Sequence, residues 1–330
     1  MIKAVAPGRV NLIGDHTDYT GGLVLPMAID MATTVEGVRE GSSIELDSAA
    51  MDGHASITLP SRHSADRLPT WSHYVAAVAE LLNPSTGFSG NIRTTIPVGG
   101  GLSSSAALEI AVALALGAEM SPLELALLCQ KAENLATGIP TGIMDQLCIA
   151  SSIEGHATLI DCTRHSVTPI PLPTEVKFVV RFIAHRTLVG SAYADRVNEC
   201  RRAEAEIGSL AHASIADAES IADSIVRARA RHVVTENARV REFGAAMSNG
   251  DWVAAGQAMI ASHQSLASDF AVSNATMDEA VNRALEIPGV FGARMTGGGF
   301  GGCIVAMCEP STEIDGWVVR PSAGARVFSS

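Results

Sequence analysis

The stretch GRVNLIGDHTDYTGG, residues 8–22, joins an apolar strand pattern to a dense group of hydrogen-bonding side chains. Its apolar part, VNLIG at 10–14, predicts a buried strand, because short apolar runs bounded by glycine are typical of such strands. Asp15, His16 and Asp18 follow directly. Together they can bond several neighbouring hydroxyls at once, as a sugar presents them. Asp and His are also metal ligands, so a metal site and a solvated turn remain alternatives.

A second glycine-rich stretch, PVGGGLSSSAA at 97–107, places three glycines and three serines at the start of a long apolar helix pattern. Helix N-termini and glycine backbone attract phosphate, and serine hydroxyls can bond phosphate oxygens or Mg2+. A simple glycine turn with a serine N-cap is the alternative, but it needs only one serine. No lysine follows the glycines, so this is not the P-loop pattern. The stretch therefore indicates a different kind of phosphate-binding loop.

A third glycine-rich stretch, MTGGGFGGC at 295–303, removes side chains where a late strand is predicted to begin. Glycine allows the backbone to approach a ligand or another loop closely. A tight turn with a bulge is the alternative interpretation.

The periodicity elsewhere mixes strands and helices. Strand alternation dominates residues 1–40 and 44–60, and KAVAPG and VNLIG are predicted as separate strands within the first of these ranges. Helices are predicted over 71–82, 102–120 and 121–138, the last with a capping box at Ser121 and Glu124 and a stop at Gly138.

The second half of the chain is predicted to be mostly helical from 191 to about 287. Before it, the proline-rich stretch TPIPLPTEV at 168–176 predicts a seam between domains, since proline resists both helix and central strand. Because the elements follow no regular βαβ rhythm, the pattern favours an α+β protein with two domains over a doubly wound sheet.

Composition excludes several classes of partner. The chain has 330 residues, a net charge of -12 and a pI of about 5.3, which argues against nucleic-acid or anionic-membrane binding. Its apolar runs are too short to span a bilayer. The six cysteines form no C-x-x-C pair, so we expect buried, reduced thiols in a cytoplasmic protein.

Four stretches together resemble a known family. GRVNLIGDHTDYTGG, GGGLSSSAALE, ENLATGIPTGIMDQ and RMTGGGFGGC are similar to the signatures of the GHMP small-molecule kinases, and HTDY after GRVNLIG is typical of their galactokinase branch. The resemblance covers nearly the whole chain.

The resemblance implies a fold and an activity. The fold is α+β, with an N-terminal domain at 1–172 like the second domain of ribosomal protein S5 and a ferredoxin-like C-terminal domain at 173–330. The active site is expected in the cleft between them. The implied activity is phosphorylation of the C1 hydroxyl of galactose with ATP and Mg2+, by a monomer that needs no nucleic acid or membrane.

The resemblance also implies individual roles. Asp145 matches the catalytic carboxylate, and Arg9 matches the partner that stabilises transition-state charge. Ser105 and Glu133 match the Mg2+ ligands. Phosphate binding by ATP is assigned to seven consecutive residues: Gly99, Gly100, Gly101, Leu102, Ser103, Ser104 and Ser105. Sugar binding is assigned to Asp15, His16, Thr17, Asp18 and Tyr193.

Elementary chemistry is consistent with these roles. Phosphoryl transfer needs an oriented hydroxyl, a metal on the phosphates and positive charge near the moving group. Asp145 can accept the hydroxyl proton, and a nearby Arg9 keeps that carboxylate ionised. Glu133 supplies the hard oxygen that Mg2+ prefers.

One residue departs from the family pattern. Members usually carry Glu where Asp15 stands, and that Glu is expected to bond the sugar's C6 hydroxyl. The shorter side chain predicts weaker discrimination at C6. Related sugars (L-arabinose, N-acetylgalactosamine, galacturonate) therefore remain alternative substrates, and a non-catalytic sensor of galactose and ATP is a further alternative.

Overall fold

The chain forms two sheets with helices packed against them. The computed structural model describes residues 1–62, 68–185 and 191–329. The strands are β1 Ile2–Ile13, β2 Leu23–Arg39, β3 Ser43–Ser48, β4 His54–Thr58, β5 Phe88–Thr94, β6 His156–Asp161, β7 Ser166–Pro171, β8 Lys177–Ala184, β9 Val290–Thr296, β10 Gly302–Cys308, β11 Trp317–Val319 and β12 Arg326–Ser329. The helices are α1 Ser72–Leu82, α2 Ser104–Ala115, α3 Pro122–Thr137, α4 Met144–Ser151, α5 Ser191–Ile207, α6 Ile215–Ser220, α7 Ser224–Asn249, α8 Trp252–Ser268 and α9 Ala275–Leu285.

The N-terminal sheet has the strand order β12-β1-β2-β5-β3-β4, and β6 and β7 extend it beside β2. Its pairs are antiparallel except β3 with β5. The apolar helix α2 packs against β1 and β2. The apolar side chains of β1, β2 and α2 form one buried core, which holds β1 and α2 together.

The C-terminal sheet has the order β11-β8-β10-β9, with all pairs antiparallel. Helices α8 and α9 pack against β9, and α7 packs against α8. A second core lies among these elements. The α+β prediction is confirmed.

KAVAPG and VNLIG are one continuous strand, β1, and not two. The pairing register with β2 shifts between Pro7 and Arg9, which is an irregularity of the bulge type. Such a bulge re-aims the next side chain without ending the strand. The two predicted strands are thus separated by a bulge at Gly8, and this bulge sets the direction of the Arg9 side chain.

The predicted start and end of α3 are confirmed. Ser121 and Glu124 form a capping box, and Gly138 ends the helix in the left-handed conformation with a φ of 69°. The loop after Gly138 leads into α4.

The proline-rich stretch begins in a strand at the edge of its sheet, which agrees with the expectation that proline resists a central strand. Pro169 and Pro171 lie in β7, which pairs only with β6 among the described strands. Proline is tolerated there because an edge strand leaves N–H positions unpaired. The chain passes from the N-terminal sheet to the C-terminal sheet between β7 and β8, and it returns to the N-terminal sheet where β12 pairs with β1. The domain division at 172/173 stays a prediction.

All six cysteines are buried and unpaired with one another. Within residues 1–62, 68–185 and 191–329, every helix is too short or too polar to cross a membrane.

Candidate active site

Arg9 and Asp145 form the central ion pair of a cleft with a volume of about 590 Å³. Arg9 Nε and Nη2 each donate to the Asp145 carboxylate at 2.7 Å, and Arg9 Nη1 donates to the Gly101 carbonyl at 2.6 Å. The Arg9 side chain is 5% exposed and that of Asp145 is 23% exposed. Two parallel hydrogen bonds fix the orientation of the carboxylate, while one edge of it still faces the cleft.

Ser103 is the second residue that donates a hydrogen bond to Asp145. Its hydroxyl donates to Asp145 Oδ2, and its backbone adopts a left-handed φ of 59° immediately before α2. The sequence placed Ser103 in the ATP phosphate loop. In the structure its side chain contacts the predicted catalytic carboxylate, and the residue also lines the cleft with the rest of that loop.

The phosphate-loop residues surround the start of α2. Gly99, Gly101, Ser103, Ser104 and Ser105 line the cleft. Gly100 is not among the cleft-lining residues, and the Leu102 side chain is buried in the core.

Leu102 instead fixes the loop through its backbone, since its carbonyl accepts from Arg9 N at 3.2 Å. An added Cβ on Gly8 would lie 2.8 Å from that carbonyl oxygen, so a glycine is required for the approach.

Glu133 projects from α3 toward the serines. Its Oε1 accepts from Ser105 Oγ at 3.0 Å, and its Oε2 accepts from Gln146 Nε2 at 2.8 Å and Thr141 Oγ1 at 3.2 Å. Burial, assisted by the negative charge of Asp145, raises the pKa of Glu133. A cation beside this carboxylate would favour its charged form.

Among the described residues, no group of three or more His, Cys, Asp or Glu side chains is arranged to hold a metal by itself. Ser105 and Glu133 nevertheless fit Mg2+, because their oxygens lie together and Mg2+ is commonly held by one or two carboxylates plus phosphates.

His16 and Asp18 line the cleft. They belong to the turn at 15–18 that is predicted to bind sugar, the sugar-binding turn. His16 Nδ1 lies 3.0 Å from the Tyr19 hydroxyl, and its ring packs against Tyr193 and Phe270 at centroid distances of 5.6 and 4.6 Å. Tyr193 also lines the cleft. Burial, together with the charge of Asp145, raises the pKa of Asp18 to about 7.

Thr17 does not reach the cleft. It is fully buried, and its hydroxyl lies 2.9 Å from the Gly14 carbonyl and 2.7 Å from the Leu23 carbonyl. Thr17 therefore shapes the turn from inside, because its only hydroxyl proton is used by the backbone.

Asp15 lines the cleft, but its side chain is only 2% exposed. Its carboxylate accepts from Arg294 Nη2 at 2.6 Å and from Gly297 N at 3.2 Å. Arg294 is fully buried on β9. Removing either partner of such a pair leaves a buried charge unpaired, which costs about 3–5 kcal/mol of stability.

Three side chains of α7 hold the backbone of this turn, and sequence reasoning missed all three. Glu236 Oε1 accepts from Gly14 N at 2.9 Å, and Asn237 Oδ1 accepts from Leu23 N at 2.7 Å. His232 Nε2 donates to the Asp15 carbonyl at 3.1 Å.

The protonation states of these α7 residues suit their bonds. Burial lowers the pKa of His232 to about 4, so the ring is neutral and Nδ1 can accept from Ser265 Oγ. Burial opposes the charge of Glu236, but Arg239 and the other nearby cationic groups outweigh it, and the pKa of Glu236 is lowered to about 2.

The opposite end of the cleft is more apolar. Its lining there includes Trp71, Tyr74, Ile92, Val98 and Leu108. The third glycine-rich loop, through Gly297–Phe300, borders the same cleft. The cleft thus offers apolar surface as well as polar side chains that can bond hydroxyls.

Gly142 packs directly against the Asp18 carboxylate, because an added Cβ would overlap its oxygens. We expect Gly142→Ala to displace Asp18 and weaken binding of a hydroxylated ligand by about tenfold, the usual effect of losing a hydrogen bond to a charged group. Isothermal titration calorimetry measures this affinity. Gly244→Ala is the matched control, since a Cβ there meets no atom within 4 Å. Equal affinities for both variants would contradict the prediction.

Comparison with known families matches three regions of the chain. Residues 2–38 match the galactokinase galactose-binding signature. Residues 73–152 match the N-terminal domain of GHMP kinases, and residues 243–316 match their C-terminal domain.

Comparison with individual proteins agrees. The chain is 38% identical to the galactokinase of Homo sapiens, covering 93% of this chain and 83% of that protein. It is 41% identical to the galactokinase of Chloroflexus aggregans, covering 97% and 87%. The structure of Lactococcus lactis galactokinase complexed with galactose superposes with a TM-score of 0.91 at 30% identity, covering 98% and 95%. A mevalonate kinase at 22% identity and a TM-score of 0.67, covering 93% and 91%, shares the fold.

Proposed function

Because this chain belongs to the galactokinase family of the GHMP kinases, we propose that it transfers the γ-phosphoryl group of ATP to the C1 hydroxyl of galactose, giving galactose 1-phosphate. The observation that carries the proposal is the Arg9–Asp145 pair, which lies between the glycine–serine loop and the sugar-binding turn in one cleft. A sugar hydroxyl and a terminal phosphate can meet there.

Asp145 is the residue placed to receive the hydroxyl proton. Arg9 and Ser103 donate to its carboxylate and leave one edge toward the cleft, so the orientation of the accepting oxygen is fixed before substrate binds. Such preorganisation avoids reorganisation during the reaction. Arg9 also places a positive charge near the phosphoryl group as it passes from ATP to the sugar hydroxyl, where negative charge must be stabilised.

ATP binding is supported by the start of α2 and the apolar end of the cleft. Backbone N–H groups around Gly99 and Gly101, with the hydroxyls of Ser104 and Ser105, form the phosphate site at the helix N-terminus. The adenine ring fits the apolar lining near Trp71, where a planar group can pack.

Ser105 and Glu133 would hold Mg2+ in this site. Bound there, Mg2+ would neutralise charge on the ATP phosphates. Thr141 and Gln146 donate to Glu133 and keep its carboxylate turned toward Ser105.

Galactose is placed against the sugar-binding turn by His16, Asp18 and Tyr193. The half-buried carboxylate of Asp18 can accept hydrogen bonds from vicinal hydroxyls, and the aromatic ring of Tyr193 can cover an apolar sugar face. His16 is held by Tyr19, so its ring has a fixed orientation.

Galactose binding is expected to depend on the ionisation of Asp18. Because its pKa is raised to about 7, the carboxyl is neutral below that pH and loses acceptor capacity. Below about pH 7 we expect the affinity for galactose to fall about tenfold per pH unit, and to level off above it. Calorimetry across this pH range, without nucleotide, measures the dependence. Asp18→Asn should bind weakly with no such dependence, and an unchanged profile in this variant would contradict the assignment.

The reducing cytoplasm is the compartment we propose for this enzyme. The support is that the six cysteines are buried and form no disulfide with one another. A monomeric state remains our prediction, and size-exclusion chromatography with light scattering tests it.

The proposed function is tested by incubating the purified protein with ATP, Mg2+ and galactose and measuring galactose 1-phosphate by mass spectrometry. L-Arabinose, N-acetylgalactosamine and galacturonate are measured in parallel. The galactokinase relatives support galactose over these sugars and over a sensor. Folded protein that binds ATP and galactose without turnover would contradict the proposal.

A further inference from the structure

Glu109 is a fully buried acidic residue to which the proposed reaction gives no role. It lies in the middle of α2, where its neighbours Leu108, Ile110 and Ala111 are apolar and buried. It is not among the cleft-lining residues that the structure describes. Burying a polar group without a hydrogen bond costs free energy, so the bonding partner of Glu109 decides what this residue does.

The partner of Glu109 is Gln146, the residue that follows the proposed catalytic Asp145. Gln146 Nε2 donates to Glu109 Oε2 at 3.2 Å and to Glu133 Oε2 at 2.8 Å. Gln146 is fully buried as well. One amide group of α4 therefore joins a carboxyl group of α2 to a carboxylate of α3.

These two bonds orient the Gln146 amide. Within residues 1–62, 68–185 and 191–329, its carbonyl oxygen has no hydrogen-bond partner. An amide nitrogen carries two N–H donors, and here one is used by each acidic residue. Without Glu109, one buried N–H would lack an acceptor, which favours rotation of the amide away from Glu133.

The Glu133 carboxylate is thereby connected to α2 at both of its oxygens. Oε1 accepts directly from Ser105 Oγ at 3.0 Å, and Oε2 is linked to Glu109 through Gln146. Ser105 and Glu109 are four residues apart on α2, so they lie on the same face of the helix. This face therefore sets the rotation of the carboxylate about its own axis.

Thr141 is the other donor to Glu133 Oε2, and it holds this oxygen less firmly. Its hydroxyl lies 3.2 Å from that oxygen and 2.9 Å from Asn134 Oδ1. A hydroxyl has one proton, so Thr141 shares it between two acceptors. The bond from Gln146 is the shorter of the two to Oε2, and Glu109 supports it.

The protonation of Glu109 suits this supporting role. Burial raises its pKa, and the negative charge of Glu133 adds to the rise, so the neutral form is favoured. A neutral carboxyl group still accepts a hydrogen bond through its carbonyl oxygen. Glu109 can therefore hold Gln146 without placing a second full negative charge beside Glu133.

We propose that Glu109 is a positioning residue for the metal site of this kinase, because it holds Gln146 and thereby keeps the Glu133 carboxylate in the orientation that binds Mg2+ together with Ser105. Glu109 acts only through Gln146 and touches neither metal nor nucleotide. The inference rests on the proposed kinase function, in which Ser105 and Glu133 hold Mg2+ on the ATP phosphates.

The test measures Mg2+ binding separately from turnover. Calorimetry gives the affinity for AMP-PNP, an ATP analogue that does not transfer its terminal phosphate, at increasing Mg2+ concentrations. Glu109→Met keeps an unbranched side chain in the helix and removes the acceptor. We expect the Mg2+ concentration of half-maximal effect to rise about tenfold, the usual cost of losing a group that orients a metal ligand. The affinities for AMP-PNP without Mg2+ and for galactose should stay unchanged.

Steady-state kinetics give a second readout. Because Ser105 and Glu133 are intact in Glu109→Met, its kcat should return to the wild-type value at saturating Mg2+. A kcat that stays low at saturating Mg2+ would contradict the proposal.

Two control variants separate positioning from stability. Glu109→Gln keeps a carbonyl acceptor for Gln146, and we expect the wild-type Mg2+ requirement for it. Ile110→Val removes one buried methylene from the same helix, so it should lower the melting temperature and leave the Mg2+ requirement unchanged. If Glu109→Met behaved like Ile110→Val, the role of Glu109 would be purely structural and the proposal would be overturned.

Glu109→Asp decides the question if Glu109→Met does not fold. It keeps the acid but withdraws it from Gln146 by one methylene, about 1.5 Å, so we expect the same rise in the Mg2+ requirement. An unchanged requirement would overturn the proposal. Wild-type protein that binds AMP-PNP with Mg2+ but phosphorylates no sugar would contradict the proposed function, and the Mg2+ titration would still decide the role of Glu109.

Discussion

Asp145→Asn is expected to lower kcat by about a thousandfold, which is the usual contribution of a positioned proton acceptor. Asparagine keeps the shape of the side chain and can still accept from Arg9, but it cannot take up the proton of the sugar hydroxyl. The affinities for ATP and galactose, measured by calorimetry, should change little. Initial rates of galactose 1-phosphate formation give kcat.

Asp251→Asn is the matched control for this variant. Asp251 is exposed and caps α8 by accepting from Ala254 N, and asparagine caps a helix equally well. We expect wild-type kcat for it. If Asp145→Asn retained wild-type kcat, Asp145 would have no part in proton transfer, and another cleft residue would have to supply the acceptor.

Arg9→Lys is expected to lower kcat by about a hundredfold, the size of effect seen when one preorganised charged donor is lost from a transition state. Lysine keeps the positive charge beside Asp145, so the buried ion pair survives. It cannot donate to both carboxylate oxygens and to the Gly101 carbonyl with a planar fork, as Arg9 does. Steady-state kinetics with galactose and ATP measure the loss.

A double variant separates this role from general damage. Because Arg9 acts partly through Asp145, Arg9→Lys combined with Asp145→Asn should be little worse than Asp145→Asn alone. Arg164→Lys serves as the control, since Arg164 makes an exposed ion pair with Asp161. Fully additive losses would mean that the two residues act independently.

The sequence predicts best the features that depend on neighbours along the chain. The capping box at Ser121 and the stop at Gly138 follow from local rules and are confirmed, whereas the helix predicted over 102–120 is shorter and spans Ser104–Ala115. The cleft-lining positions of Arg9, Asp145 and Glu133 follow from short motifs that a family resemblance could interpret. Each of these motifs contains a functional side chain together with the turn residues that orient it.

Features set by partners distant in sequence could not be predicted in this way. Pro169 and Pro171 are tolerated because β7 is an edge strand, which only the sheet order reveals. Ser103 contacts Asp145 because its backbone is left-handed, which no periodicity indicates. The polar residues of α7 look like ordinary helix positions until the fold places them under the sugar-binding turn.

The sugar-binding turn depends on partners made much later in synthesis. Gly14 and Asp15 are bonded by Glu236 and Arg294, which lie 222 and 279 positions further along the chain. Contacts at such separations form late, because the loop between the partners must close first. The turn thus belongs to the earliest part of the polypeptide to leave the ribosome, yet it acquires its final shape only when β9 has been made. A nascent chain that ends before β9 already contains Arg9 and Asp145 but lacks Arg294, the buried partner of Asp15.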